Sequence, residues 1–185
     1  MDPLIMLTIS LALAALLAGA AAHKVLGWAE WQGTVLNYRL VPAGAAAILV
    51  VLLPCGEALA AVLLLVPFER PVAACATAAL LVLYATALAV NIARGRTAID
   101  CGCFGSRRRH GISGWMVGRN ILLAGLALAL CLPPTPRPLS AAEVLLAVGI
   151  VITVGFLYPV VGVVMERPLP RYEDNYRRTA PQAQK

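Results

Sequence analysis

At 185 residues the chain has room for one domain, and its 61% hydrophobic and 13% charged content departs from the about 45–50% and about 25% of a soluble protein. With a mean hydropathy of +0.82, both departures point to lipid as the solvent and leave no second soluble unit. The net charge of +6 resides in short connections and the tail, not on a folded basic face, which excludes nucleic acid as a partner and suits contact with membrane lipid.

Residues 4–22 form the first uncharged run, long enough at 1.5 Å per residue to match the ~30 Å hydrocarbon layer. Ala20-Ala21-Ala22 has the small residues of a signal-peptidase site, but only Asp2 stands where a basic n-region belongs, so the run reads as an uncleaved span. Residues 23–40 are mixed: Lys24, Trp28, Glu30, Trp31, Tyr38 and Arg39 suit the headgroup layer, where a ring is half apolar and half wet. The second run, 41–68, is broken only by Pro54 and Glu57. Glu69-Arg70-Pro71 predicts a tight turn, because proline cannot continue the preceding helix. The third run, 71–93, carries no formal charge.

The longest polar connection, 94–112, holds Asp100-Cys101-Gly102-Cys103-Phe104-Gly105 and the Arg107 to Arg109 triplet. Ser113 reads as a helix cap opening the fourth run, 113–132, with Arg119 and Asn120 inside it. Pro133, Pro134, Pro136 and Pro138 stiffen the next turn. The fifth run, 144–165, predicts a kink at Pro159, and 166–185 is a polar, basic tail. The expected fold is therefore all-α: a polytopic, multi-pass transmembrane helical bundle of about five spans. Arg70 and Arg137 fall on one side of such a bundle. Lys24, Arg39, Arg94, Arg96, Arg107 to Arg109 and the basic tail fall on the other, which the positive-inside rule assigns to the cytoplasm.

Chemistry concentrates in the loop. Cys101 and Cys103 are one residue apart, so a disulfide between them closes a small, strained ring, and strain makes a disulfide more oxidising. Gly102 and Gly105 supply permissive backbone; Arg96 and Arg107 to Arg109 favour the reactive thiolate, while Asp100 opposes them. Three readings stay open: a catalytic redox pair, a glycine-rich loop that happens to hold two cysteines, and a soft-metal site using Cys101, Cys103 and His110. The last fits poorly, since a closed zinc site wants four ligands at wider spacing, and no metal is expected.

Lys24, Asn91, Arg94, Arg119 and Asn120 fall toward the same end of the bundle as the loop and form, with Glu57, a supporting polar cluster. Glu57 lies deep in its run and must be buried against other helices; Arg119 is a candidate partner, or else reaches the interface alone. Cys75 and Cys131 lie toward the opposite end, where they are expected to be small buried packing residues, with a second redox pair as the alternative.

Several segments in order resemble one family: Ala22-His23-Lys24, Asn37-Tyr38-Arg39-Leu40, Leu53-Pro54-Cys55-Gly56-Glu57, Asn91-Ile92-Ala93-Arg94-Gly95, the Asp100–Gly105 stretch and Arg119-Asn120. Together, from about residue 4 to residue 132, they are similar to the methylamine utilisation protein MauE family. The resemblance implies a four-helix core in the cell (inner) membrane, and a role in maturation, processing or transport of the methylamine dehydrogenase small (β) subunit. That subunit is periplasmic, rich in disulfides, and carries a tryptophan tryptophylquinone cofactor. The implied partners are the small subunit and the thioredoxin-like protein MauD. The family is also similar to DoxX-like and vitamin K epoxide reductase-like bundles, whose quinone-linked thiol oxidases make a quinone the implied cofactor. This chain lacks their C-x-x-C, so the implied activity is a thiol–disulfide oxidoreductase without that motif.

A conflict follows. Periplasmic maturation wants the cysteine pair outside, whereas the charge asymmetry places it inside. Either the arginines serve a site, the pair is a cytoplasm-facing relay, or one run does not span. A non-catalytic chaperone or export component and a soft-metal handler remain the alternative functions. The redox state of the cysteines in isolated membranes, with parallel metal analysis, separates them.

Overall fold

A computed structural model describes residues 1–97 and 112–165, with side chains through residue 157. These residues form six helices: α1 (Pro3–Leu26), α2 (Trp28–Tyr38), α3 (Ala43–Leu64), α4 (Arg70–Ala93), α5 (Gly114–Ala129) and α6 (Ala141–Met165). No strand occurs among the described residues. Helices α1, α3 and α4 are long and apolar enough to cross a membrane; α5 and the 141–157 part of α6 are shorter apolar helices. The molecule is an all-helical membrane bundle.

Local chemistry accounts for the helix ends. Asp2 caps α1 by accepting from the Leu4 N–H at 2.8 Å, with Pro3 in the first turn, where its missing N–H costs nothing. The second apolar run continues to Phe68, but α3 stops at Leu64, because Pro67 disfavours helical backbone at the residue before it. Ser113 stands at the N-cap of α5 with extended backbone, yet its hydroxyl makes no capping bond. Ser140 and Glu143 form a reciprocal capping box that starts α6 ahead of the apolar run: the Ser140 N–H donates to Glu143 Oε2 at 2.8 Å, and the Glu143 N–H donates to Ser140 Oγ at 3.3 Å. The mixed segment after α1 folds as the short helix α2, which ends at Arg39 in the left-handed region (φ 47°).

Packing is dominated by α4 against α5 and α1 against α3, with α6 on α1 and α2 on α3. Small residues recur on the inner stripes: Ala73, Ala74, Thr77 and Ala78 are buried on α4 and Ala124 and Ala127 on α5, and the five alanines share one core cluster. Larger side chains such as Ile48, Leu52, Leu59, Leu145 and Phe156 point outward. Lipid tails are as apolar as leucine, so helices in a membrane gain from close backbone approach through small residues rather than from burying large ones.

Candidate functional site

The polar centre of the bundle follows from helix periodicity. The buried stripe of α1 runs through Leu13, Leu17, Ala20 and Ala21 to Lys24, and that of α3 through Val50, Pro54, Glu57, Ala60 and Ala61. Lys24 and Glu57 therefore occupy two core positions, each 1% exposed, and their side chains form an ion pair through Glu57 Oε1. The Tyr84 hydroxyl of α4 donates to the same oxygen at 2.7 Å. The Lys24 ammonium also sits 5.0 Å from the Trp31 ring centroid and 5.1 Å from that of Tyr84, within cation–π range. Glu57 Oε2 accepts no hydrogen bond. An ion in hydrocarbon costs several kcal/mol, so each charge is tolerable only because the other is there.

Glu57 is thus partnered by Lys24 and not by Arg119. The reason lies in the packing: α3 lies along α1, while α5, which carries Arg119, packs mainly on α4. Arg119 is half-buried, and its neighbour Asn120 is buried with Nδ2 making no hydrogen bond.

Trp31 has a second role that Pro54 makes necessary. Proline has no N–H, so Pro54 leaves the carbonyl of Val50, four residues earlier, without its helical donor. The Trp31 indole Nε1–H donates to that oxygen at 2.9 Å, and α2 is thereby fastened to the middle of α3.

At the end of α4 the chain builds a mount for the cysteine loop. Gly95, at φ +71°, closes a Schellman motif in which the Gly95 and Arg96 N–H groups donate to the carbonyls of Ile92 and Asn91, both at 2.9 Å. Arg94 then donates to the Arg39 carbonyl at 3.3 Å. Arg96 donates to those of Asn37 at 3.0 Å and Tyr38 at 3.3 Å, placing cations on the negative end of α2. Arg96 also reaches Asn91 Oδ1 at 3.5 Å, while the amide of buried Asn91 donates to Ala87 at 3.0 Å. The Ile112 N–H donates to the Thr97 carbonyl at 3.0 Å, joining the two anchors of the loop. Cys101, Cys103, Arg107 to Arg109 and His110 lie outside the described residues, as does the tail. The supporting cluster therefore resolves into the Lys24–Glu57 centre, the Asn91–Arg94 mount, and Arg119-Asn120 on α5.

At the opposite end, Cys75 of α4 and Cys131 just after α5 are both exposed free thiols, with their sulfurs 3.6 Å apart. They are not buried packing residues: antiparallel α4 and α5 place them at one edge of the helix pair. Nearby in the chain, Arg137 donates to both oxygens of Asp2 (2.9 and 3.0 Å) and pairs with Glu143 at 2.7 Å. The Arg137 guanidinium and the Leu4 N–H hold the Asp2 carboxyl below its ordinary 3.8, and the same pairing raises Arg137.

A cavity of about 160 Å³ opens beside the ion pair, against Lys24, Trp31, Tyr38, Leu53, Tyr84 and Leu88, and its walls are largely apolar. Among the described residues no three His, Cys, Asp or Glu side chains come together as metal ligands. Reading by residue misses Tyr84 and the role of Trp31. A proline inside an apolar helix signals an orphaned carbonyl that some donor must satisfy, and a lone phenol in an apolar run signals a polar partner.

The profile of the family described as methylamine utilisation protein MauE matches residues 2–133. The Paracoccus denitrificans methylamine utilization protein MauE is 40% identical over 144 residues, covering 77% of each chain. The protein of the same name from Methylophilus methylotrophus is 36% identical over 176 residues, covering 93% of this chain and 92% of its own. No solved structure matches. Matched by the family profile over residues 2–133 and by relatives at 36–40% identity along most of its length, this chain belongs to the MauE family of methylamine utilisation proteins.

Proposed function

We propose that the chain is a multi-pass protein of the inner membrane that assists maturation of the methylamine dehydrogenase small subunit by thiol–disulfide exchange at Cys101 and Cys103. Family membership supports the pathway. The observation that carries the chemistry is the mount of the cysteine segment. Gly95, Arg94 and Arg96 tie the end of α4 to α2, and the Ile112–Thr97 hydrogen bond brings the segment's two anchors together. A reactive pair that must meet a folding partner needs such a fixed base at the bundle end, and the loop's arginines favour the attacking thiolate. The thioredoxin-like MauD is the partner that would exchange electrons with the pair.

A quinone fits the cavity beside Lys24: the walls suit an apolar ring, and Lys24 is a cationic donor at the edge. Trp31, Tyr84 and Lys24 would hold it there, and it would supply a two-electron acceptor.

Replacing Cys101 and Cys103 by serine tests the reading, because serine removes exchange chemistry with little change in volume. The small subunit is then expected to fail to accumulate, or to accumulate with unpaired thiols, while the large subunit is still made and this protein remains in the membrane. Wild-type growth on methylamine with normal small-subunit levels in the double variant would overturn the exchange mechanism and leave a non-catalytic chaperone.

A further inference from the structure

The Cys75–Cys131 pair is not used by the function just proposed, and the 3.6 Å between its sulfurs is contact distance for two thiols. Both cysteines are exposed. Cys131 is further held by a contact from its Sγ to the Pro71 carbonyl at 3.8 Å, which fixes it at the level of the first turn of α4. The pair stands at the same end as the exposed Asp2–Arg137–Glu143 network, whose charges require water. From Cys75 to Ala93 is about 27 Å along α4 at 1.5 Å per residue, so the pair is a bilayer's depth from the anchors of the cysteine loop.

We propose that Cys75 and Cys131 form a second thiol–disulfide exchange site, which takes a protein dithiol or disulfide on the membrane face opposite the 98–111 loop. The exposed ion pairs at that end require water, so the two thiols lie at a membrane–water boundary that a partner segment can reach. In the oxidising half-reaction one thiolate of the pair attacks a sulfur of an incoming disulfide R–S–S–R′. The S–S bond breaks, a mixed disulfide forms, and R′–S⁻ leaves and takes up a proton. The second thiolate then attacks the mixed disulfide, closing Cys75–Cys131 and releasing R–S⁻, which is protonated in turn. Two electrons and two protons pass from the pair to the partner; the reverse sequence converts a partner dithiol to its disulfide and restores the two thiols. The oxidant is thus a disulfide-bearing protein or small molecule, and the substrate is a dithiol in a protein segment at that membrane surface.

The test uses the full-length protein with Cys55, Cys101 and Cys103 replaced by serine, so its result is independent of the loop cysteines. In intact spheroplasts and in inverted vesicles, a membrane-impermeant maleimide is expected to label Cys75 and Cys131 from one and the same side. In isolated membranes, oxidised glutathione is expected to close a Cys75–Cys131 disulfide, seen by peptide mapping without reduction, and excess reduced glutathione to reopen it. Adding Cys131→Ser is expected to trap glutathione on Cys75 as a mixed disulfide several-fold above the level in the parent. Labelling from neither side, thiols that stay unlinked in oxidised glutathione, or a bond that stays closed in excess reduced glutathione would each overturn the proposal.

Discussion

The two ends of the bundle are held by the same kinds of group in opposite surroundings. Near α2 the charges are buried: Lys24 and Glu57 are each 1% exposed, and Glu57 also accepts from the Tyr84 hydroxyl. Near the N-terminus Asp2 and Arg137 are each 38% exposed and Glu143 is 24% exposed, although the bonds are as short as 2.7 Å. Distance therefore says little about consequence. Where water is excluded, each ion depends on its partner; where water is present, it replaces a lost partner at little cost.

Removing one buried charge is expected to have the largest effect. Lys24→Met strands Glu57 among apolar side chains and is expected to cost about 3–5 kcal/mol, read as a large drop in thermal stability in detergent and in protein level. The double variant Lys24→Met, Glu57→Leu is expected to recover most of the loss, because it removes the remaining ion. A double variant as unstable as the single would show that the pair is needed for more than mutual neutralisation.

The bond between Trp31 and the Val50 carbonyl should come next. Trp31→Phe is expected to cost about 1–3 kcal/mol, because it leaves a buried carbonyl without a donor. Pro54→Ala restores a backbone N–H four residues after Val50, so the same Trp31 change should cost distinctly less in that background. Equal costs in both backgrounds would mean that the indole matters through its ring alone.

The smallest effect belongs to the exposed network. Arg137→Ala is expected to leave thermal stability almost unchanged while speeding hydrogen exchange at the Thr135 N–H, which donates to Met1 at 2.9 Å. Asp2 is depressed below 3.8, so its contribution is present above that value and is lost as pH falls through the lower folded value. Arg137 stays charged throughout. Wild-type protein should therefore match the variant only in strong acid, and a loss comparable to Lys24→Met at neutral pH would erase the distinction between the two ends.

Much of the site was legible residue by residue, but not its pairings. That Glu57 is buried follows from its place deep in an apolar run, since no long stem lets it reach water. Its partner does not follow: Lys24 and Arg119 both fall toward the same end, and only the packing of α3 on α1 rather than α5 chooses between them. Cys75 and Cys131 are 56 positions apart, and their contact depends on the antiparallel register of α4 and α5. Helix α2 was hidden for a different reason. Its residues are mixed in character because it faces α3 with Trp31 and the surroundings with its remaining faces.

That this protein belongs in a membrane, roughly where its apolar helices run, and which polar residues are too costly to be left alone there all follow from the order of its amino acids. These are properties of single segments, set by the transfer of side chains and peptide groups between water and hydrocarbon. Which charge meets which, that an indole satisfies the carbonyl left open by Pro54, and that two distant thiols touch emerge only once the helices are packed. Those outcomes depend on the depth and register at which helices pack. Interfaces built from small residues such as Ala73, Ala78, Ala124 and Ala127 set that register through close backbone contact, which no single segment encodes.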